Sequence, residues 1–205
     1  MSQQVQSTFQ HLVNTSSDIN EHLPTLSKYA SECESVFETG VRGCVSSWAF
    51  AHGLLLNNSS TKTLFMNDIE ECDVGQLLQY TRDLPIVINY KWIDNLKLNF
   101  TQSYDLTFID TWHVYGQLKR ELAKFAPITN KYIIMHDTTV DEWLGESIRD
   151  NHDVNKQSLW SGFPVEEINR GIWPAIEEFL VANPNWVLHE RFTNNNGLTV
   201  LRRTD

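Results

Sequence analysis

Residues 104–138, YDLTFIDTWHVYGQLKRELAKFAPITNKYIIMHDT, constrain the fold more than any other stretch of the chain. Two apolar runs, Tyr104–Ile109 and Tyr132–Met135, each stop abruptly at acid. The first meets Asp110, with His113 three residues on; the second meets the pair His136-Asp137. Between them Val114, Leu118, Leu122 and Phe125 recur at close to 3.6 residues, which predicts a helix. A strand–helix–strand unit of this length is a right-handed crossover between parallel strands. Both acidic tips therefore emerge at one edge of the sheet, where open α/β sheets bind their ligands.

The rest of the chain supplies a sheet for this unit. Val5, Phe9 and Leu12 mark a helix over 3–13, and a second runs from about His22 to Ser31 with Pro24 in its first turn. Both are expected to cover an edge of the sheet or to form a lid. Ser35–Phe37 reads as the first strand, and Val45, Trp48, Ala49 and His52 as one face of the helix after it, with Gly53 as its stop. Strands are expected at Thr63–Met66 and Pro85–Asn89, a helix at Asp73–Arg82, and a loop or short helix at Trp92–Phe100. Asp141–Gly162 is polar and irregular, and Glu166–Val181 has helical spacing. Trp186–Phe192 and Leu198–Arg202 flank Asn196-Gly197, a strong hairpin signal. The expectation is an α/β, Rossmann-like, doubly wound sheet of seven mainly parallel strands ending in an antiparallel hairpin. It forms one domain over 1–205: an N-terminal helical extension at 1–33, then a cofactor-binding core carrying a substrate-side insertion at 138–165.

Charge narrows the partners. Asp and Glu number 26 against 16 Lys and Arg, a net charge of −10. That disfavours a nucleic-acid binder, which gains affinity by neutralising phosphates, and an anionic membrane surface. No apolar run reaches the length of a membrane span, and the first residues do not read as a signal peptide. Cys33, Cys44 and Cys72 are odd in number and lack zinc-like spacing. A reduced, cytoplasmic protein is expected, with a small-molecule or glycan partner and room for homo-oligomerisation.

The turn after the first strand, Glu38-Thr39-Gly40-Val41-Arg42-Gly43-Cys44-Val45-Ser46, offers a close backbone approach and a helix N-terminus to a ligand. Asp68, at the tip of the second strand, is placed to accept ribose hydroxyls. This order resembles the class I S-adenosylmethionine-dependent methyltransferases over about residues 34–203. Within that group IDTWHVYGQLKREL resembles the "IDGxHxYxxxxxDL" stretch of small sugar O-methyltransferases of the macrocin type, and Glu38, Gly40 and Ser46 fit their E-x-G-x-x-x-x-x-S turn. The resemblance implies S-adenosylmethionine as cofactor, with Glu38, Gly40, Arg42, Ser46, Asp68 and Asp110 around it and Asn89 near adenine. It implies a divalent cation on Asp110 and Asp137, His113 as general base, and a sugar or glycan hydroxyl as acceptor.

His136 stands where relatives carry an acid, and imidazole is a poorer Mg²⁺ ligand than carboxylate. The ion is then Mn²⁺-like, weakly held, or ligated without His136. Trp112, Tyr115, Trp143 and Trp160 are the candidate acceptor contacts. Asp110 also suits a helix N-cap. Three other readings stand beside this one: a catechol-like acceptor, a nicotinamide dehydrogenase, although the turn lacks G-x-G-x-x-G, and a non-catalytic binding protein of the same fold.

Overall fold

The computed structural model describes residues 2–205. Strands β1 (Ser35–Thr39), β2 (Thr63–Asp68), β3 (Val87–Trp92), β4 (Tyr104–Ile109), β5 (Thr129–His136), β6 (Trp186–Phe192) and β7 (Leu198–Arg203) form one sheet in the order β3-β2-β1-β4-β5-β7-β6. The first five are mutually parallel, while β7 runs antiparallel to both β5 and β6. This is the mainly parallel, doubly wound sheet with a terminal hairpin that the pattern predicts. Strand order reverses between β1 and β4, and that switch point opens the ligand crevice of such sheets.

Helices α1 (Gln3–Val13), α2 (Leu23–Ser31), α3 (Val45–Leu56) and α4 (Gly75–Thr81) precede β4. Helices α5 (Tyr115–Phe125), α6 (Glu146–Arg149), α7 (Val154–Ser161), α8 (Val165–Asn169) and α9 (Trp173–Ala182) follow it. Successive strand residues serve opposite faces. Val36, Leu64 and Phe108 pack with α1, α2 and α3, whereas Phe37, Phe65 and Ile109 pack with α5 and α9. Helix α3 is buried almost all round because it lies between the sheet and α1–α2.

Four expectations are corrected. Helices α1 and α2 lie on a sheet face rather than along an edge; Phe9 stacks on His52 of α3 at 4.0 Å. Gly53 does not stop α3. It lies inside the helix where a Cβ would come within 2.2 Å of the Ser27 carbonyl oxygen, so glycine permits the α2–α3 crossing. The helix expected over Glu166–Val181 is broken at Arg170-Gly171, because Gly171 passes the Asp141 and Glu142 carbonyl oxygens too closely for a side chain. Strand β3 runs to Trp92, which leaves Asn89 in mid-strand.

Candidate active site

The site begins with backbone. After β1, Gly40 takes φ +89, and a Cβ there would lie 1.7 Å from the carbonyl oxygen of Asp110. Only glycine lets the β1 and β4 tips meet this closely, and Asp110 N–H donates to the Thr39 carbonyl at 2.9 Å. Arg42 and Cys44 also have positive φ, 42 and 61. The resulting turn points the Val41 and Arg42 N–H groups at one oxygen of Asp68, at 2.7 and 2.9 Å. Asp68 thus braces the turn as well as lining the crevice.

Beneath it Glu38 is fully buried, and the Ser46 and Ser47 hydroxyls donate to its two oxygens at 2.5 and 2.7 Å. Burial pushes the Glu38 carboxyl up to about 8, against the pull of both hydroxyls. Glu38 was expected against the cofactor; it lies under the crevice instead, tying β1 to the first turn of α3.

A buried polar chain floors the next part. Thr39 Oγ1 donates to Asn67, and Asn95 Nδ2 donates to both Thr39 Oγ1 and Glu121 Oε1. Thr111 and Gln117 donate to that same Glu121 oxygen at 2.6 and 2.8 Å. One carboxylate, almost wholly buried, therefore links the tips of β1 and β4 and the loop after β3 to α5.

The acidic end is a cage. His113 Nε2 lies 3.1 Å from Asp110 Oδ1 and 3.2 Å from Asp137 Oδ2. His136 Nδ1 faces the same two oxygens at 3.4 and 3.2 Å. On the other side of the His113 ring, Nδ1 lies 2.8 Å from Glu146 Oε2 and 3.5 Å from Asp141 Oδ2. Burial opposes charge on both imidazoles, but the surrounding carboxylates outweigh it: His113 keeps its proton well above the ordinary range, and His136 is pushed up to about 10. Burial likewise resists ionisation of Asp110 and Asp137, yet the imidazoles hold both below the usual carboxylate range. Asp137 adopts φ 56, a strained backbone of the kind that clusters at functional sites.

These parts share one cleft of about 1220 Å³. Gly40, Arg42, Ser46, Asp68, Asp110, His113, Asp137, Trp112 and Trp160 all line it. Trp112 stacks on Phe163 with ring centroids 5.8 Å apart, and Trp160, 71 % exposed, meets Trp112 edge-on at the rim. Besides Glu38, four candidates fall outside. Asn89 lies in the middle of edge strand β3, and Asp94 and Asn95 beyond that strand take its place in the lining. Tyr115 is buried against α9, its hydroxyl donating to Glu178. Trp143 is exposed outside the lining. His136 is 1 % exposed behind the carboxylates, with Nε2 against the Asn195 carbonyl.

The sequence reading missed Glu146, Asp141, Asn95 and Glu121. Only Glu121 carried a signal, as the acid of the KREL stretch on a helix otherwise facing the core.

The donor set suits a divalent cation. Ligands about 2.1 Å from a common ion lie roughly 3.0–3.4 Å from one another, which is the spacing of the His113, Asp110, His136 and Asp137 atoms. Asp110, His113 and Asp137 are mutually within reach of one ion, and Asp137 Oδ1 is buried without a hydrogen-bond partner.

No family model matches the chain, and no curated protein matches it. Solved structures do. The O-methyltransferase TomG from Streptomyces achromogenes, in complex with S-adenosylmethionine, is 12 % identical with a TM-score of 0.60, covering 100 % of this chain and 91 % of its own. The N-methyltransferase NodS from Bradyrhizobium japonicum, with S-adenosyl-L-homocysteine, is 13 % identical with a TM-score of 0.59, covering 98 and 99 %. An O-methyltransferase from Bacillus cereus, also with S-adenosyl-L-homocysteine, is 14 % identical with a TM-score of 0.58, covering 98 and 89 %. The likeness is one of fold, and it spans nearly the whole of each chain.

Proposed function

We propose that the chain transfers the methyl group of S-adenosylmethionine to a hydroxyl of a sugar or glycan, with a divalent cation at the acidic end. One observation carries this reading: a single cleft joins the glycine turn of a methyltransferase-like fold to paired carboxylates and imidazoles at the tips of β4 and β5. Gly40, Ser46 and Asp68 face the methyl donor, and Asn95 and Asp94 its far end. The folds it resembles include an N-methyltransferase as well as O-methyltransferases, so the acceptor atom is argued from the cage. An amine needs no cation beside two carboxylates, whereas a weakly acidic hydroxyl gains from one.

Asp110, Asp137 and His136 Nδ1 would hold the ion, with His113 Nε2 left outside its ligands. Such a mixed nitrogen and oxygen set favours Mn²⁺-like ions over Mg²⁺. When bound, the cation would supply Lewis-acid chemistry that makes an acceptor hydroxyl more acidic. Without an ion the carboxylates keep His113 protonated; a cation on Asp110 and Asp137 would offset their charge and leave His113, more open to the cleft than His136, neutral and able to take the hydroxyl proton at Nε2. Trp160 and Trp112 stack on the apolar face of a sugar ring.

Calorimetry with S-adenosylmethionine and NAD in parallel, followed by methyl-transfer assays on sugar nucleotides, free glycans and catechols with Mn²⁺ or chelator, tests the reading. Donor binding and chelator-sensitive transfer to a carbohydrate are expected. Transfer to catechols alone moves the acceptor class, and binding of NAD alone overturns the proposal.

A further inference from the structure

His113 is held by its backbone as well as by its ring. Its N–H donates to Glu146 Oε2 at 2.9 Å, and the Glu146 N–H donates back to the His113 carbonyl at 3.1 Å. The same Glu146 oxygen lies 2.8 Å from Nδ1. Next to it, Trp112 Nε1 donates to Ser147 Oγ at 3.0 Å, so α6 is fastened to the β4 tip at both neighbouring positions. Gly145 secures the approach: its N–H donates to the Asn169 carbonyl, and a Cβ there would come within 2.4 Å of the Ile168 carbonyl oxygen. The remaining neighbours on this side are Asp141, 3.5 Å from Nδ1, and Arg149, which pairs with Asp141 at 3.3 Å. With Nδ1 committed to Glu146, the ring can present only Nε2 to Asp110, Asp137 and the cleft.

We propose that Glu146 is the positioning residue of His113, accepting the Nδ1 hydrogen and so turning Nε2 toward Asp110, Asp137 and the hydroxyl to be methylated. The inference rests on the methyltransferase reading and deepens it. In the step it serves, which starts from the neutral His113 ring, the acceptor O–H bond breaks and its proton passes to Nε2. The oxygen forms a bond to the methyl carbon, and the carbon–sulfur bond breaks with its electron pair staying on sulfur, which turns the sulfonium into a thioether. The ring leaves this step as an imidazolium whose Nδ1–H remains on Glu146. A carboxylate behind an imidazole fixes its orientation and raises its basicity. Glu146 acts through the His113 ring.

The test combines proton NMR of protein carrying histidine labelled with ¹⁵N at Nδ1 with steady-state kinetics, in wild type, Glu146→Gln and Glu146→Asp. His113→Gln assigns the resonance. A low-field Nδ1–H signal is expected in wild type, lost in Glu146→Gln and retained in Glu146→Asp. Turnover is expected to fall about 10–100-fold in Glu146→Gln, the range for such supporting partners, with KM for S-adenosylmethionine unchanged and partial recovery in Glu146→Asp. A signal that persists in Glu146→Gln, or equal turnover in the two variants, overturns the proposal. Absence of methyl transfer in wild type would overturn the function reading alone, since the resonance still reports on Glu146.

Discussion

The two ends of the cleft are built differently. The end proposed for the methyl donor is made of backbone: a glycine at φ +89, two further positive-φ residues, and N–H groups turned toward Asp68. Its parts lie within a few residues of β1 and at the tip of β2. The end proposed for the acceptor is made of charge. Asp110, Asp137, Asp141 and Glu146 come from the tips of two strands and from the segment that follows β5, and their four carboxylates converge on the His113 imidazole. Steric fit sets the first and electrostatic balance the second, so the two ends should fail in different ways.

The largest contrast lies between two glycines of one turn. Gly40→Ala forces a Cβ into the Asp110 carbonyl, so a loss above about 4 kcal/mol in stability is expected, together with loss of donor binding. Gly43→Ala meets nothing within 4 Å and should stay within about 0.5 kcal/mol. Chemical denaturation and calorimetry read both, and equal losses would remove the steric account of the donor end.

At the acceptor end Asp137→Asn is the matched test. Asparagine tolerates the positive φ of this position, so the backbone stays and the charge goes. Turnover should fall about 10²–10³-fold, the range for removing one preorganised electrostatic group, with affinity for S-adenosylhomocysteine unchanged. Parallel loss of donor affinity in calorimetry would mean the ends are not separable.

Glu38 sharpens the comparison through pH. Its folded pKa is raised from 4.5 to about 8, so the buried acid is favoured and folding takes up a proton between those values. The stability this contributes is complete below about 4.5 and is lost as pH rises through 8, at up to about 1.4 kcal/mol per pH unit. Glu38→Gln keeps the neutral form and should flatten that slope in denaturation measured from pH 5 to 8.5. An unchanged slope would show that Glu38 is ionised under the turn. The smallest effect is expected at the rim. Trp160→Ala should raise acceptor KM about 3–10-fold, equivalent to the roughly 0.5–1.5 kcal/mol of an aromatic contact. No change in KM would remove Trp160 from the acceptor site.

The same contrast explains what could be read from the chain. Strand tips ending in Asp110 and Asp137, the Gly40 turn and the Asn-Gly hairpin are local patterns, and each stands where the pattern places it. Asn89 failed because β3 extends three residues beyond its apolar run, carried by pairing with β2 through Trp92. Tyr115 failed because helical phase alone decides whether it faces the cleft or α9, and Glu178 and Arg170 hold it on the α9 side. Glu146 and Asp141 lie in a polar segment without periodicity. Their partner, His113, lies about thirty residues earlier, and only the packing of α6 on the β4 tip joins them. Glu38 shows the reverse case: a residue in the expected motif, turned inward by two serine hydroxyls.

The division into a donor end and a cation-holding acceptor end is tested most directly by Mn²⁺ titration followed by electron paramagnetic resonance, with S-adenosylhomocysteine bound, in wild type and in the Asp110→Asn/Asp137→Asn double variant. The account expects one Mn²⁺ per wild-type chain and none in the double variant, with S-adenosylhomocysteine held equally well by both. Equal Mn²⁺ binding in both proteins, or loss of S-adenosylhomocysteine along with the ion, would contradict it.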